Sequence, residues 1–235
     1  IDCVGFLVKD AGGNMEDGKE RMVRTPWSEK AIPFHEAARI GTQKVIEEHS
    51  TIGLVITSDG SFGELPRENF TEAEEKTIQE LKKQHKPFLV LVNSQMPYKE
   101  AAQKAVSEIQ EKYQVTALSV NCDQLHKEDI AQILEKILYE FPVSQIQFFI
   151  PKWVEMLPAD HELKKQLLEQ IREKTKHLFQ IRDITKEAIQ LSGPYVKDSL
   201  LEDTGLSDGT VKVRVRIQDK YYYQMLSQMS GTQME

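Results

Sequence analysis

The chain contains no G-x-x-x-x-G-K-[ST] phosphate loop, only two cysteines, no apolar run of membrane-spanning length and no surplus of positive charge. Each absence excludes something. Cys3 and Cys122 cannot form a disulfide framework, so a reducing, cytosolic setting is expected. Cys122 and His126 alone cannot close a zinc site, and His35-Glu36 is not followed by a second histidine at helical spacing, so no metal-ligand cluster is expected. A membrane helix needs roughly 20 consecutive apolar residues, and no stretch of this sequence comes near that. Lys and Arg number 30 against 37 Asp and Glu, a net charge of −7. That balance argues against a nucleic-acid partner, which requires a clustered basic face.

The remaining composition is that of an ordinary folded chain, 40% hydrophobic and 29% charged over 235 residues. This is enough for one large domain, or one with a smaller companion. In the first half, strand-like and helix-like segments alternate. "IDCVGF" reads as the end of a strand. "FHEAARIGTQKVIEEH" places Phe34, Ala37, Ala38, Gly41 and Val45 on one helical face. "TIGLVITSD" is a β-branched run that ends in turn chemistry. "TEAEEKTIQELKK" predicts a helix opened by a capping box between Thr71 and Glu74. "PFLVLVNS" has the continuous apolar character of a strand buried on both faces. "AAQKAVSEIQEKY" and "VTALSVN" predict a further helix and strand. "DIAQILEKILYEF" aligns Ile130, Ile133, Leu134, Ile137, Leu138 and Phe141 along one stripe.

Strands separated by crossover helices predict an α/β domain with a mostly parallel sheet covered on both faces. Ligands in such sheets bind at the carboxyl ends of the strands. The residues so singled out are Asp2 with Gly5, Ser58-Asp59-Gly60, Asn93-Ser94, and Ser119 with Asn121. The pattern changes near Pro142, where a smaller α+β piece is expected to begin, giving domains at 1–141 and 142–235. In the second piece, "IQFFIP" predicts a strand and residues 160–190 a helix with Leu163, Leu167, Ile171 and Leu178 on one face. "TVKVRVRI" alternates as a half-buried antiparallel strand does, with Lys212, Arg214 and Arg216 on its solvated side. A short helix ended by Gly231 follows.

An aspartate at a strand end followed by x-x-Gly can hold a Mg²⁺ shell through water, and the glycine N–H can approach a terminal phosphate without a Cβ in the way. Taken alone, Asp2 and Gly5 favour the plainer reading, a strand that ends in a turn. The later strand ends come in the order found in GTPase-type P-loop NTPases, where they supply a base-binding asparagine and a backbone clamp. These roles fall on Asn93 and Ser119. The guanine motif N-K-x-D is here Asn93-Ser94-Gln95-Met96. Met96 cannot accept hydrogen bonds from guanine, so ATP is the expected nucleotide, with Asn93 either touching adenine or capping the next turn. Phe6 stands where a glutamine often orients the attacking water, which predicts slow turnover. The phosphate loop and its strand are expected upstream, since the chain starts at Ile1 rather than a methionine. By itself the present segment is expected to bind nucleotide poorly.

Several features carry a plainer alternative. Asp59-Gly60 reads as a tight turn. Residues 9–33 read as a mobile switch or as a surface loop packing Trp27 on the core. The tyrosines Tyr221, Tyr222 and Tyr223 with Met225 and Met229 read as core packing or an assembly contact.

The runs "IDCVGF", "RTPWSEKAIPFHEAARIGTQKVIEEHSTIGLVITSDGSFG", "KPFLVLVNSQMPY" and "ILYEFPVSQIQFFIPKWVEML" closely resemble the stage IV sporulation protein A family, the spore-coat morphogenetic ATPases of endospore-forming bacteria. The likeness is strong over roughly the first 160 residues and weaker to about residue 231. It implies an ATPase related to translation-factor GTPases, with Asp2 as the Walker B aspartate and ATP with Mg²⁺ as ligands. It also implies ATP-driven self-assembly of the coat basement layer on the outer forespore surface, in the mother-cell cytoplasm. The implied partners are further copies, other coat morphogenetic proteins, and a small amphipathic membrane-bound peptide reached through a C-terminal region outside this sequence. A nucleotide-stabilised scaffold with little turnover and a regulatory GTPase are the competing readings.

Overall fold

The computed structural model describes residues 1–16 and 18–231, apart from the side chains of Gln228 and Met229. Two compact units divide the chain, Ile1–Ile137 and a second beginning at Leu138. In the first, two small hairpins, β1 (Met15–Glu16) with β2 (Lys19–Glu20) and β3 (Met22–Thr25) with β4 (Ser28–Pro33), lead into α1 (Phe34–Lys44), which continues as a π-helical turn. There follow β5 (Gly53–Ser58), α2 (Thr71–Lys83), β6 (Phe88–Asn93), α3 (Glu100–Tyr113), β7 (Ala117–Val120) and α4 (Lys127–Tyr139). The strands β5, β6 and β7 lie parallel in that order, so the domain is of the expected α/β class.

The burial pattern of β6 shows why this sheet forms. Every residue from Phe88 to Val92 is buried. Val90 and Val92 pack with Val55, Ile78, Leu81, Ile109 and Tyr113 on one face. Leu89 and Leu91 pack with Val120, Ile133 and Ile137 on the other. Burying one such apolar side chain contributes roughly 1.5–3 kcal/mol, so five in succession anchor the sheet. Residues 1–5 form no strand, and Ile1 is 90% exposed. A strand exists only against a hydrogen-bonding neighbour, and among the described residues none pairs with this segment.

Residues 9–33, expected to be a loop, carry the two hairpins instead. Trp27 is half exposed, and its indole lies over α1 where Gly41 leaves room: a Cβ on that glycine would sit 3.5 Å from the ring. The α4 stripe is buried only in part: Ile133 and Ile137 face the sheet, while Ile130, Leu134 and Leu138 stay exposed. The capping box at Thr71 does not form. The Thr71 hydroxyl donates to the Glu68 carbonyl at 2.8 Å. Glu74, almost wholly buried, accepts from the two terminal guanidinium nitrogens of Arg67 at 2.6 and 3.0 Å. A paired charge is a stronger partner for a buried carboxylate than a single amide.

The second unit comprises β8 (Gln145–Phe149), α5 (Lys152–Glu155), α6 (Glu162–Thr175), α7 (Lys186–Ile189), β9 (Val196–Gly205), β10 (Thr210–Ile217) and α8 (Asp219–Ser230). As expected, β10 buries Val211, Val213, Val215 and Ile217 and runs antiparallel to β9, but it is also central, with β8 parallel on its other side. On its solvated face Lys212, Arg214 and Arg216 pair with Asp203, Glu202 and Asp198. The single helix expected over 160–190 breaks after Thr175. A capping box between Gln180 and Asp183 and an N-cap at Thr185, accepting from Ala188 N–H at 3.1 Å, start new turns there. The structure ends α8 at Gly231 in the left-handed region, as expected (φ +68°). Met225 packs with Tyr221 against the core of this unit, whereas Tyr222 and Tyr223 are partly exposed. The Met229 side chain lies outside the described residues.

Arg67→Ala should strand the Glu74 carboxylate in the core and cost about 3–5 kcal/mol in urea-unfolding experiments. The paired change Arg67→Met with Glu74→Leu should recover most of that loss. Recovery of none would show that the pair does not act as a unit.

Candidate functional site

The carboxyl ends of β5, β6 and β7 bring three loops to one edge of the parallel sheet. Asn93 closes β6, and its neighbour in register on β7 is Val120. The Asn93 side-chain oxygen accepts the Cys122 N–H at 2.9 Å, while its Nδ2 has no partner among the described residues. Ser119 is committed to the loop after β6. Its hydroxyl donates to the Pro97 carbonyl at 2.8 Å and accepts from Gln103 Nε2 at 2.9 Å. The main chain of the segment is tied on as well, since Ser94 N–H donates to the Val120 carbonyl at 2.9 Å and Asn121 Nδ2 to the Gln95 carbonyl at 3.4 Å.

The turn after β5 completes the edge. The Asp59 N–H donates to the Asn93 carbonyl at 3.3 Å, and Asp59 Oδ1 accepts from both the N–H and the hydroxyl of Ser61, at 2.9 and 2.5 Å. Gly60 has φ +85°, and a Cβ there would lie 2.8 Å from the Arg67 nitrogen, so this turn requires glycine. Partial burial works against ionisation of Asp59. The Ser61 and Ser94 hydroxyls with the Ser61 N–H outweigh it and hold the carboxyl below the usual carboxylate range. Burial, with a smaller contribution from Asp123, pushes the Cys122 thiol up.

Asp2 and Gly5 belong to the extended segment ahead of the hairpins. The Asp2 carboxylate is exposed and unpaired among the described residues, and Gly5 adopts φ +80°, a conformation only glycine takes without strain. Asn93 and Ser119 are thus brought to one edge on adjacent strands, whereas no hydrogen bond ties Asp2 or Gly5 to that edge. Met96, three residues after Asn93, is half exposed. Among the described residues no group of three metal-ligating side chains occurs. Cavities among the described residues lie elsewhere, including one of about 380 Å³ beside α1, lined by Cys3, Val4, Trp27 and Thr42, and one of about 580 Å³ in the second unit beside Trp153 and Tyr222. Neither is bounded by Asn93 or Ser119.

A family model described as the stage IV sporulation protein A ATPase domain matches residues 1–142, and one described as the middle domain of the same protein matches residues 143–235. The chain belongs to the stage IV sporulation protein A family. Relatives bearing that name are 40% identical over 240 residues in Clostridioides difficile, 37% over 235 in Bacillus subtilis and 36% over 235 in Bacillus anthracis. Each alignment takes in all of this chain and 48% of the relative, so the chain spans about half the length of these family members. No solved structure matches it. No helix among the described residues is long and apolar enough to cross a membrane.

The sequence pattern identified the ends of β5, β6 and β7, though not a strand at Asp2–Gly5, and it missed Ser61, whose hydroxyl accepts the Gln95 N–H at 2.9 Å across 34 positions. Asp59-Gly60-Ser61 is a turn signal that such a pattern does show. Because the Asp59 carboxyl is held low in the folded chain, its contribution to stability is complete above the unfolded value near ~3.9. It is lost as pH falls below that value toward the lowered folded one. The urea midpoint of Asp59→Asn should therefore lie below wild type at pH 7, and the gap should narrow steadily as the pH is taken below the ordinary carboxylate range. A gap that persists undiminished in acid would show that the charge is not what holds the turn.

Proposed function

We propose that this chain is the part of a spore-coat assembly ATPase that runs from the Walker B aspartate into the middle domain, with 1–141 completing the ATPase domain and 142–235 forming the middle domain. The full-length protein hydrolyses ATP to drive its own assembly into the coat basement layer on the outer forespore surface, in the mother-cell cytoplasm. Its partners are further copies, other coat morphogenetic proteins and a small amphipathic membrane-bound peptide that binds a C-terminal region beyond this sequence.

The observation that carries the nucleotide reading is the end of β6. Asn93 has its side-chain oxygen fixed by Cys122 N–H, and its Nδ2 remains available to donate to N7 of a purine. Met96 offers no acceptor for the N–H groups that distinguish guanine, which favours ATP. Ser119 keeps the loop after β6 in place as the backbone clamp. Asp2 suits a Mg²⁺ ion held through water, being exposed and unpaired, and Gly5 suits a close approach to the γ-phosphate. The ion, when bound, supplies charge neutralisation at the phosphates. Among the described residues no strand pairs with the outer edge of β5, and Leu54 and Ile56 are 51% and 63% exposed. An upstream phosphate-loop strand and its helix would pair with that edge and cover those side chains. Phe6, in the place of a water-orienting glutamine, favours a second reading, a nucleotide-stabilised scaffold.

Phosphate release by the full-length protein separates the two. Slow, Mg²⁺-dependent turnover that falls on the order of a hundredfold in Asp2→Ala is expected. ATP binding with no turnover would leave the scaffold, and turnover untouched by Asp2→Ala would remove that residue from the site.

A further inference from the structure

We propose that Asp59 and Ser61 are positioning residues for nucleotide binding, acting through a hydroxyl relay that holds the base-recognising segment 93–96 in place. The proposal rests on the adenine-contacting role given to Asn93 above.

An aspartate that only capped its own turn would be satisfied by the Ser61 N–H. Here the Ser61 hydroxyl also donates to Asp59 Oδ1, at 2.5 Å, and so directs a lone pair toward the Gln95 N–H, which donates to it at 2.9 Å. The Asp59 N–H holds the Asn93 carbonyl at 3.3 Å. Ser94, 1% exposed, accepts the Met96 N–H with its own hydroxyl at 3.1 Å. The backbone groups at 93, 95 and 96 are therefore each fixed by a partner that depends on the β5 turn or on the buried serine. The Asn93 side chain is held from the opposite side by Cys122 N–H. The turn itself has little freedom, because Gly60 is in the left-handed region with the Arg67 backbone against it and Arg67 is locked by Glu74.

The relay touches no nucleotide. It sets the angle at which Asn93 presents Nδ2, and small displacements of a recognising group are costly to binding. Its energetic reach is that of one neutral hydrogen bond, about fivefold in affinity.

In the full-length protein, Ser61→Ala should raise the KM for ATP about fivefold with kcat within about twofold, and Ser61→Thr, which keeps the hydroxyl, should restore it. Asp59→Ala should behave as Ser61→Ala does. ADP affinity should fall by the same factor, whereas inorganic tripolyphosphate, which lacks a base, should bind unchanged. In an Asn93→Ala background Ser61→Ala should cause no further loss, since coupled residues are not additive. Equal loss of ADP and tripolyphosphate, a fall in kcat at constant KM, or a fully additive loss with Asn93→Ala would overturn the relay. If wild type binds ADP and Ser61→Ala binds it equally well, the relay alone fails. If wild type binds neither ATP nor ADP, the nucleotide reading fails and the relay with it.

Discussion

The interaction on which the first unit depends is the parallel ladder around β6, a strand whose side chains are dry on both faces. A parallel ladder requires crossovers, and the helices that make them cover the faces. Here Ile78 and Leu81 of α2 and Ile109 of α3 close one side, and Ile133 and Ile137 of α4 close the other. Because all three strands run the same way, the loops after β5, β6 and β7 emerge at one edge. The polar residues of those loops are thereby placed within reach of one another: Asn93 with Cys122, Ser61 with Gln95, Ser119 with Pro97. The same hydrophobic run that stabilises the domain therefore assembles the candidate site.

The second unit solves burial differently. Its central strand β10 alternates, sending four aliphatic side chains inward and three cations outward. The cations are neutralised across the strand by the carboxylates of β9, with Arg214 and Arg216 each engaged by two nitrogens. A paired, solvated row of this kind supports the register between neighbouring strands. The cavity nearby, lined by Trp153 and Tyr222, is bounded by these same paired arginines.

Where periodicity alone decided the outcome, the sequence was readable: β6, β7, α3 and β10 lie where their apolar spacing put them. Asn93 ends β6 and Ser119 lies beside the end of β7, the positions their runs implied. Legibility failed where partners distant in sequence compete. Thr71 and Glu74 have the spacing of a capping box, but Arg67 offers the carboxylate two charged donors and wins. The hairpin of β3 and β4 is hidden in a segment that reads as a loop, because its strands are short and largely exposed. Thr185, followed by Lys-Glu-Ala, likewise announced a new helix start that the longer apolar stripe concealed. The outer half of the α4 stripe and the open segment at residues 1–5 are cases in which apolar character found no partner surface among the described residues. The Asp59–Ser61 relay was illegible because a hydroxyl's second partner lies 34 positions away.

The measurement that tests the account most directly is an equilibrium competition between ATP and GTP for the full-length protein, repeated with Met96→Asp. The account expects wild type to prefer ATP and the variant, having regained a carboxylate for the guanine N–H groups, to shift the ratio toward GTP by at least about tenfold. A wild-type preference for GTP, or a ratio unmoved by Met96→Asp, would contradict the assignment of the end of β6 as the base-recognising segment.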